Sequence, residues 1–83
     1  MGGWTPFHAL TSKDKEVFDL ATHGLVGVEY TPLKVSTQIV AGTNYRFLCN
    51  AQVVYPGSHA YRALVFIYAP LEGPPRITDI RPL

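Results

Sequence analysis

The stretch Gln38-Ile39-Val40-Ala41-Gly42-Thr43-Asn44-Tyr45 lies between two runs of period-two alternation, and its reading decides the fold. Upstream, a strand is expected over about 27–38, with Leu33, Val35 and Thr37 on one face and Lys34 and Ser36 on the other. Pro32 has no N–H to give to a ladder, so it marks a bulge or an unpaired position. Ala41-Gly42 breaks the run. A second strand is expected over about 43–55, with Tyr45, Phe47, Cys49, Ala51 and Val53 on one face against Asn44, Arg46, Asn50 and Gln52. Two strands on either side of so short a break read as a hairpin.

Outward from that hairpin the pattern repeats. Pro56-Gly57-Ser58 is a turn. A third strand is expected over about 60–69 and is apolar on both faces, with Tyr61, Ala63, Val65 and Ile67 on one and Leu64, Phe66 and Tyr68 on the other. Pro70 to Pro75 forms a second hairpin tip, and a fourth strand of about 76–81 follows. On the N-terminal side, Thr11 and Ser12 are candidate N-caps, and Thr11-x-x-Asp14 has capping-box spacing. Val17, Phe18, Leu20 and Ala21 supply an apolar stripe, and His23-Gly24 reads as a stop with Gly24 in the left-handed cap position. The helix, about 12–23, is only about three turns long and needs a sheet to lie on. Phe7-His8-Ala9 is a candidate short strand before it. The expected fold is α+β: an antiparallel meander of four to five strands wrapped on one short helix, as a single domain over 1–83.

Composition narrows the functional classes. Eighty-three residues leave no room for a second domain or an interdomain cleft. Seven Lys and Arg against six Asp and Glu give a net charge of +1, which argues against nucleic acid and against an electrostatic hold on membranes. No window is long and apolar enough for a membrane helix, and the N-terminus lacks the basic start and apolar stretch of a signal peptide. The single Cys49 excludes an intrachain disulfide and a Cys-rich zinc site. It fits a reducing interior without excluding export, so localisation stays open between cytoplasmic and secreted with a signal peptide removed.

No constellation of catalytic groups emerges. Strand parity points Cys49 at the helix with Tyr45 and Phe47, which makes it a core thiol rather than a nucleophile paired with His8, His23 or His59. The three histidines lack metal-ligand spacing, and the carboxylates offer no acid/base pair. Gly2-Gly3 and Gly42 lack the setting of a phosphate-binding loop. The expectation is a non-enzyme with no catalytic residues, no metal and no cofactor. What stands out is the first hairpin, where Ile39 and Val40 occupy a place that turns usually give to Asn, Asp, Ser, Gly and Pro. These side chains either tuck into the core or are left exposed for contact.

Gln38 to Tyr45 resembles the Gln-x-Val-x-Gly motif of the cystatins and stefins, with its usual Thr-Asn-Tyr continuation. Three further features agree in order. Gly2-Gly3-Trp4 is similar to the glycine element near the cystatin N-terminus, and Trp-x-Pro is similar to plant members; a helix precedes the motif strand; and Pro70-Leu71-Glu72-Gly73-Pro74-Pro75 sits where the family carries its second loop. The resemblance spans the whole chain. It departs from the family in a shortened helix region, in a second hairpin with Leu71 in place of Trp, and in a short arm, since only Met1 precedes Gly2.

The resemblance implies a reversible, competitive, non-covalent inhibitor of papain-like cysteine proteases. It would act as a wedge made of Gly2 and Gly3, of Gln38, Ile39, Val40, Ala41 and Gly42, and of Pro70, Leu71, Glu72, Gly73 and Pro74. In that reading Gly42 permits a tight turn and close approach to the groove wall, Gln38 hydrogen-bonds at the rim, and Gly3 bends the arm away from the catalytic position. The alternative is a cystatin-like interaction module without inhibitory activity. It is motivated by the altered second hairpin and by an apolar sheet face carrying Leu48, Val54, Leu64, Phe66 and Tyr68. That face is covered either by the chain termini and the curl of the sheet or by a homodimer or docked partner; a strained first hairpin that opens would instead give a domain-swapped dimer.

Overall fold

The computed structural model describes residues 2–83; Met1, the outermost part of the expected arm, lies outside them. Helix α1 (Ser12–Thr22) precedes four strands, β1 (Val28–Val40), β2 (Gly42–Val53), β3 (Tyr61–Ala69) and β4 (Arg76–Pro82), in an antiparallel sheet of order β1-β2-β3-β4. A short N-terminal stretch lies along β1 through isolated bridges, without forming the strand expected over 7–9. Trp4 bridges Gln38 and His8 bridges Val35, and Thr5 N donates to Thr37 O at 2.8 Å.

α1 forms where local chemistry places it. Asp14 N donates to Thr11 Oγ1 at 3.1 Å and Thr11 N donates to Asp14 Oδ2 at 2.9 Å, which completes the capping box. Val17 and Phe18 are buried on the sheet and Ala21 is half-buried, but Leu20 is 59% exposed and leaves the expected stripe. A helix this short buries only a narrow face against the sheet. The stop also differs from expectation. Leu25 N donates to Thr22 O at 3.0 Å, and the left-handed residue of the connection is Gly27, with φ +91°, not Gly24.

The core lies between α1 and the concave sheet face. Val35, Phe47, Cys49 and Val65 are fully buried there, and Phe18 meets Phe47 edge-on with ring centroids 4.9 Å apart. Tyr45 stacks on Phe47 at 5.7 Å. The expected β2 parity holds, and Cys49 points inward. Burial pushes its thiol from an ordinary 9.0 up to about 12.

The β1 parity does not run through as expected. Register shifts between Pro32 and Lys34, so Leu33 is the extra residue of a bulge and is exposed. Tyr30 opposite Ala51 and Val35 opposite Phe47 therefore share one face, although one position is even and the other odd. The strand also runs two residues further than expected, through Ile39 and Val40, so that the turn is centred on Ala41 alone.

The convex face is less bare than its sequence suggests. Leu48, Leu64, Phe66 and Tyr68 are half-buried on it. Arginines lie over its aromatic rings, with Arg81 4.9 Å from the Phe66 centroid and Arg76 5.1 Å from that of Tyr68. Arg46 sits 4.3 Å from the Trp4 ring and 5.2 Å from Phe7. Arginine guanidinium groups and the N-terminal aromatics thus cover part of this face. Val54 does not belong to it: it lies past the end of β2, where its N–H donates to Gly27 O. Part of the apolar excess that motivated a dimer through this face is thus covered within one chain.

Two outcomes follow. Phe47→Ala should destabilise the fold by about 3–5 kcal/mol in urea denaturation, whereas Leu20→Ala should change it by less than about 0.5 kcal/mol. Cys49 should resist thiol-specific labelling at pH 8 until the protein unfolds. The unfolded thiol loses its proton near 9.0 and the folded one near 12, so the folded state holds the extra proton between those values. Stability should therefore fall by roughly 1.4 kcal/mol per pH unit across that window, and Cys49→Ala should flatten that part of the pH profile.

Candidate functional site

The two hairpins and the N-terminal stretch meet at one end of the sheet. The β1–β2 turn is tight, with Val40 opposite Gly42 and Ile39 opposite Thr43. β3 reaches the same level, since Thr43 pairs with Ala69, and the second hairpin tip follows immediately. Trp4, bridged to Gln38, brings Gly2 and Gly3 to that end.

Gly42 is buried and holds φ at +99°; a Cβ there would collide with the Ala69 carbonyl oxygen and stand 3.0 Å from Pro70 Cα. The wall that demands glycine is therefore the protein's own second hairpin. This changes the role expected for Gly42: it sets the two hairpins side by side before any partner is met. Tyr68 braces the same junction, its hydroxyl donating to Ala41 O.

Gln38 is likewise engaged internally. Its Nε2 donates to Gly2 O at 2.5 Å, and its Oε1 accepts from Asn44 Nδ2 at 2.9 Å. The left-handed glycine of the arm is Gly2, with φ +97°, and Gly3 does not share that conformation. Ser36 Oγ donates to Thr5 O at 2.5 Å and Thr37 N donates to Thr5 Oγ1 at 3.0 Å, so the stretch after the glycines is stitched to β1.

What this end offers outward is mainly apolar, with Glu72 as a charge beside the apolar groups. Ile39 is 60% exposed and Leu71 81% exposed, with Val40 and Ala41 exposed beside them. The choice left open by the sequence is settled: Ile39 and Val40 do not tuck into the core. Pro70 is half-buried, while Glu72, Gly73 and Pro74 are exposed, with Gly73 left-handed at φ +102°. A shallow groove lined by Val17, Leu20, Tyr45, Leu71 and Pro74 runs from this tip along α1. No cluster of three or more His, Cys, Asp or Glu suited to a metal occurs among the described residues. Among the described residues no helix is long and apolar enough to cross a membrane.

Asn44, Tyr68 and Ala69 were not among the expected site residues. For Asn44 a signal exists: Gln38 and Asn44 stand three positions either side of Ala41, so a turn centred there places them opposite each other. Tyr68 and Ala69 carry no such signal, because their contacts come from a different hairpin.

No family model matches the sequence, and no curated protein matches it. Among solved structures, the chain is similar to a secreted type 1 cystatin from Fasciola hepatica, with a TM-score of 0.59 and 24% identity over 100% of this chain and 97% of that one. The fold is thus cystatin-like: one helix on a four-stranded antiparallel sheet.

Gly42→Val should cost roughly 1–3 kcal/mol for the forced backbone alone, and more for the collision with Ala69. Thermal denaturation should show a clear loss, and amide exchange should speed up at Thr43 and Ala69. A Gly42→Val protein as stable as the parent would show that the two hairpins are not locked together here.

Proposed function

We propose that the protein is a reversible, competitive, non-covalent inhibitor of papain-like cysteine proteases. It acts by occupying the groove and carries out no chemistry of its own. The observation that carries this reading is the braced end of the sheet. Three separate segments converge on it, and the side chains they leave outward include the uncharged Ile39, Val40, Ala41 and Leu71, with Glu72 the charge beside them. A soluble domain gains nothing in stability by exposing such groups together, whereas a narrow groove would bury them at about 25 cal/mol per Å². The internal bonds of Gln38 and Tyr68 hold the hairpin before binding, so little conformational freedom remains to be lost. The cystatin-like fold supports the same reading, and the similar cystatin is itself secreted. Cys49 is buried with its thiol protonated, which suits either a reducing or an oxidising compartment.

In this reading Gly2 and Gly3, residues 38–42 and residues 70–74 touch the protease. Papain titrated with the protein should lose activity competitively with substrate, with an inhibition constant below about 1 μM. Full papain activity in the presence of a large molar excess of folded protein would remove the inhibitor reading. Deletion of residues 1–3 should weaken inhibition by no more than roughly tenfold, the worth of about one hydrogen bond. A loss of several hundredfold would instead place most of the binding in the arm.

A further inference from the structure

We propose that Gln38 and Asn44 are positioning residues, an amide clasp that fastens the N-terminal arm to the first hairpin so that the two act as one rigid edge. The proposal rests on the inhibitor reading for its consequence, but the clasp itself is measurable without a protease.

The geometry defines a relay. Asn44 stands directly across the β1–β2 ladder from Gln38, and its Nδ2 donates to Gln38 Oε1 at 2.9 Å. That bond fixes which end of the Gln38 amide is oxygen, and so turns Nε2 outward to the carbonyl of Gly2, 2.5 Å away. The carbonyl held is that of the left-handed glycine of the arm. The hydrogen bonds of Thr5 secure the arm from its other side, but they start three residues further along the chain. Between them and the tip, Gln38 supplies the side-chain bond that reaches the glycines.

The chemistry of an amide suits the task. Only a group with both an acceptor and a donor on one planar head can take Asn44 on one side and Gly2 on the other. Glutamate has the same size and would keep the Asn44 bond. Its second oxygen would face the Gly2 carbonyl oxygen, acceptor against acceptor, and the arm would be released.

A built-in reporter lies beside the clasp. Trp4 is the protein's one tryptophan, it bridges Gln38 through the backbone, and its ring lies on Arg46. Its fluorescence therefore follows whether the arm is docked. Gln38→Glu and Asn44→Ala should each raise the acrylamide quenching of Trp4 by about twofold or more and shift its emission to the red, with the far-ultraviolet dichroism unchanged. Gln52→Ala, which removes an amide on the same sheet face bonded to Ser58 O and remote from the arm, should leave Trp4 as it is. Papain inhibition by Gln38→Glu should weaken by roughly two- to tenfold, and deletion of residues 1–3 on top of it should add little, because the arm is already loose.

Unchanged Trp4 quenching in both folded clasp variants overturns the clasp. Released fluorescence together with undiminished inhibition overturns its role in positioning the edge. Failure of the parent protein to inhibit papain strikes the inhibitor reading alone, since the fluorescence arm of the experiment measures the clasp independently.

Discussion

The close approach of Gly42 to the Ala69 carbonyl and Pro70 is the constraint on which the hairpin end of this molecule depends. Two hairpins from separate parts of the chain can lie flush only if one of them carries no side chain at the point of contact. Glycine meets that demand and also takes the left-handed backbone that the tight turn around Ala41 requires. With the hairpins side by side, Tyr68 reaches Ala41, while the register of the first hairpin alone sets Gln38 and Asn44 face to face across the ladder. The outward apolar tip is thus a consequence of backbone packing as much as of side-chain choice.

Away from the tip, the molecule solves the problem of a small unstapled domain by using both faces of the sheet. The concave face closes on α1 around Phe47, with Phe18 against its ring and Cys49 sealed beneath. The convex face has no helix to cover it. Arg46, Arg76 and Arg81 lie across its aromatic rings, and Trp4 and Phe7 close over Arg46 from the edge. The arm that approaches the candidate binding end is therefore also part of the cover of the convex face. Stability and the shape of the edge are linked through the same eight or so residues of chain, which explains why so many hydrogen bonds tie Thr5 and His8 to β1.

Much of this was legible along the chain. Alternation in 43–55 names the buried face of β2 correctly, Thr11-x-x-Asp14 forms the capping box its spacing announces, and Pro56-Gly57-Ser58 marks the second connection. Pro32 signals the bulge, but not that Leu33 is the residue expelled or that parity flips beyond it. A bulge has two possible places next to a proline, and packing against β2 chooses between them. Leu20 reads as core because helical periodicity counts it into the stripe; the short helix turns only Val17 and Phe18 fully onto the sheet and leaves Leu20 outside. That Gln38 is also held within the chain was not legible, because Gly2 and Asn44 meet it in space rather than next to it in sequence.

The sequence by itself determined the local structure, the order of elements, the inward direction of Cys49 and the presence of an uncharged turn with glycine at its end. These follow from period, capping and turn chemistry, which act over a few residues. Only the tertiary structure decided why Gly42 must be glycine, what Gln38 holds, and how the convex face is covered. Each of those depends on groups from distant parts of the chain brought within a few ångströms, and no short-range pattern records which groups will meet.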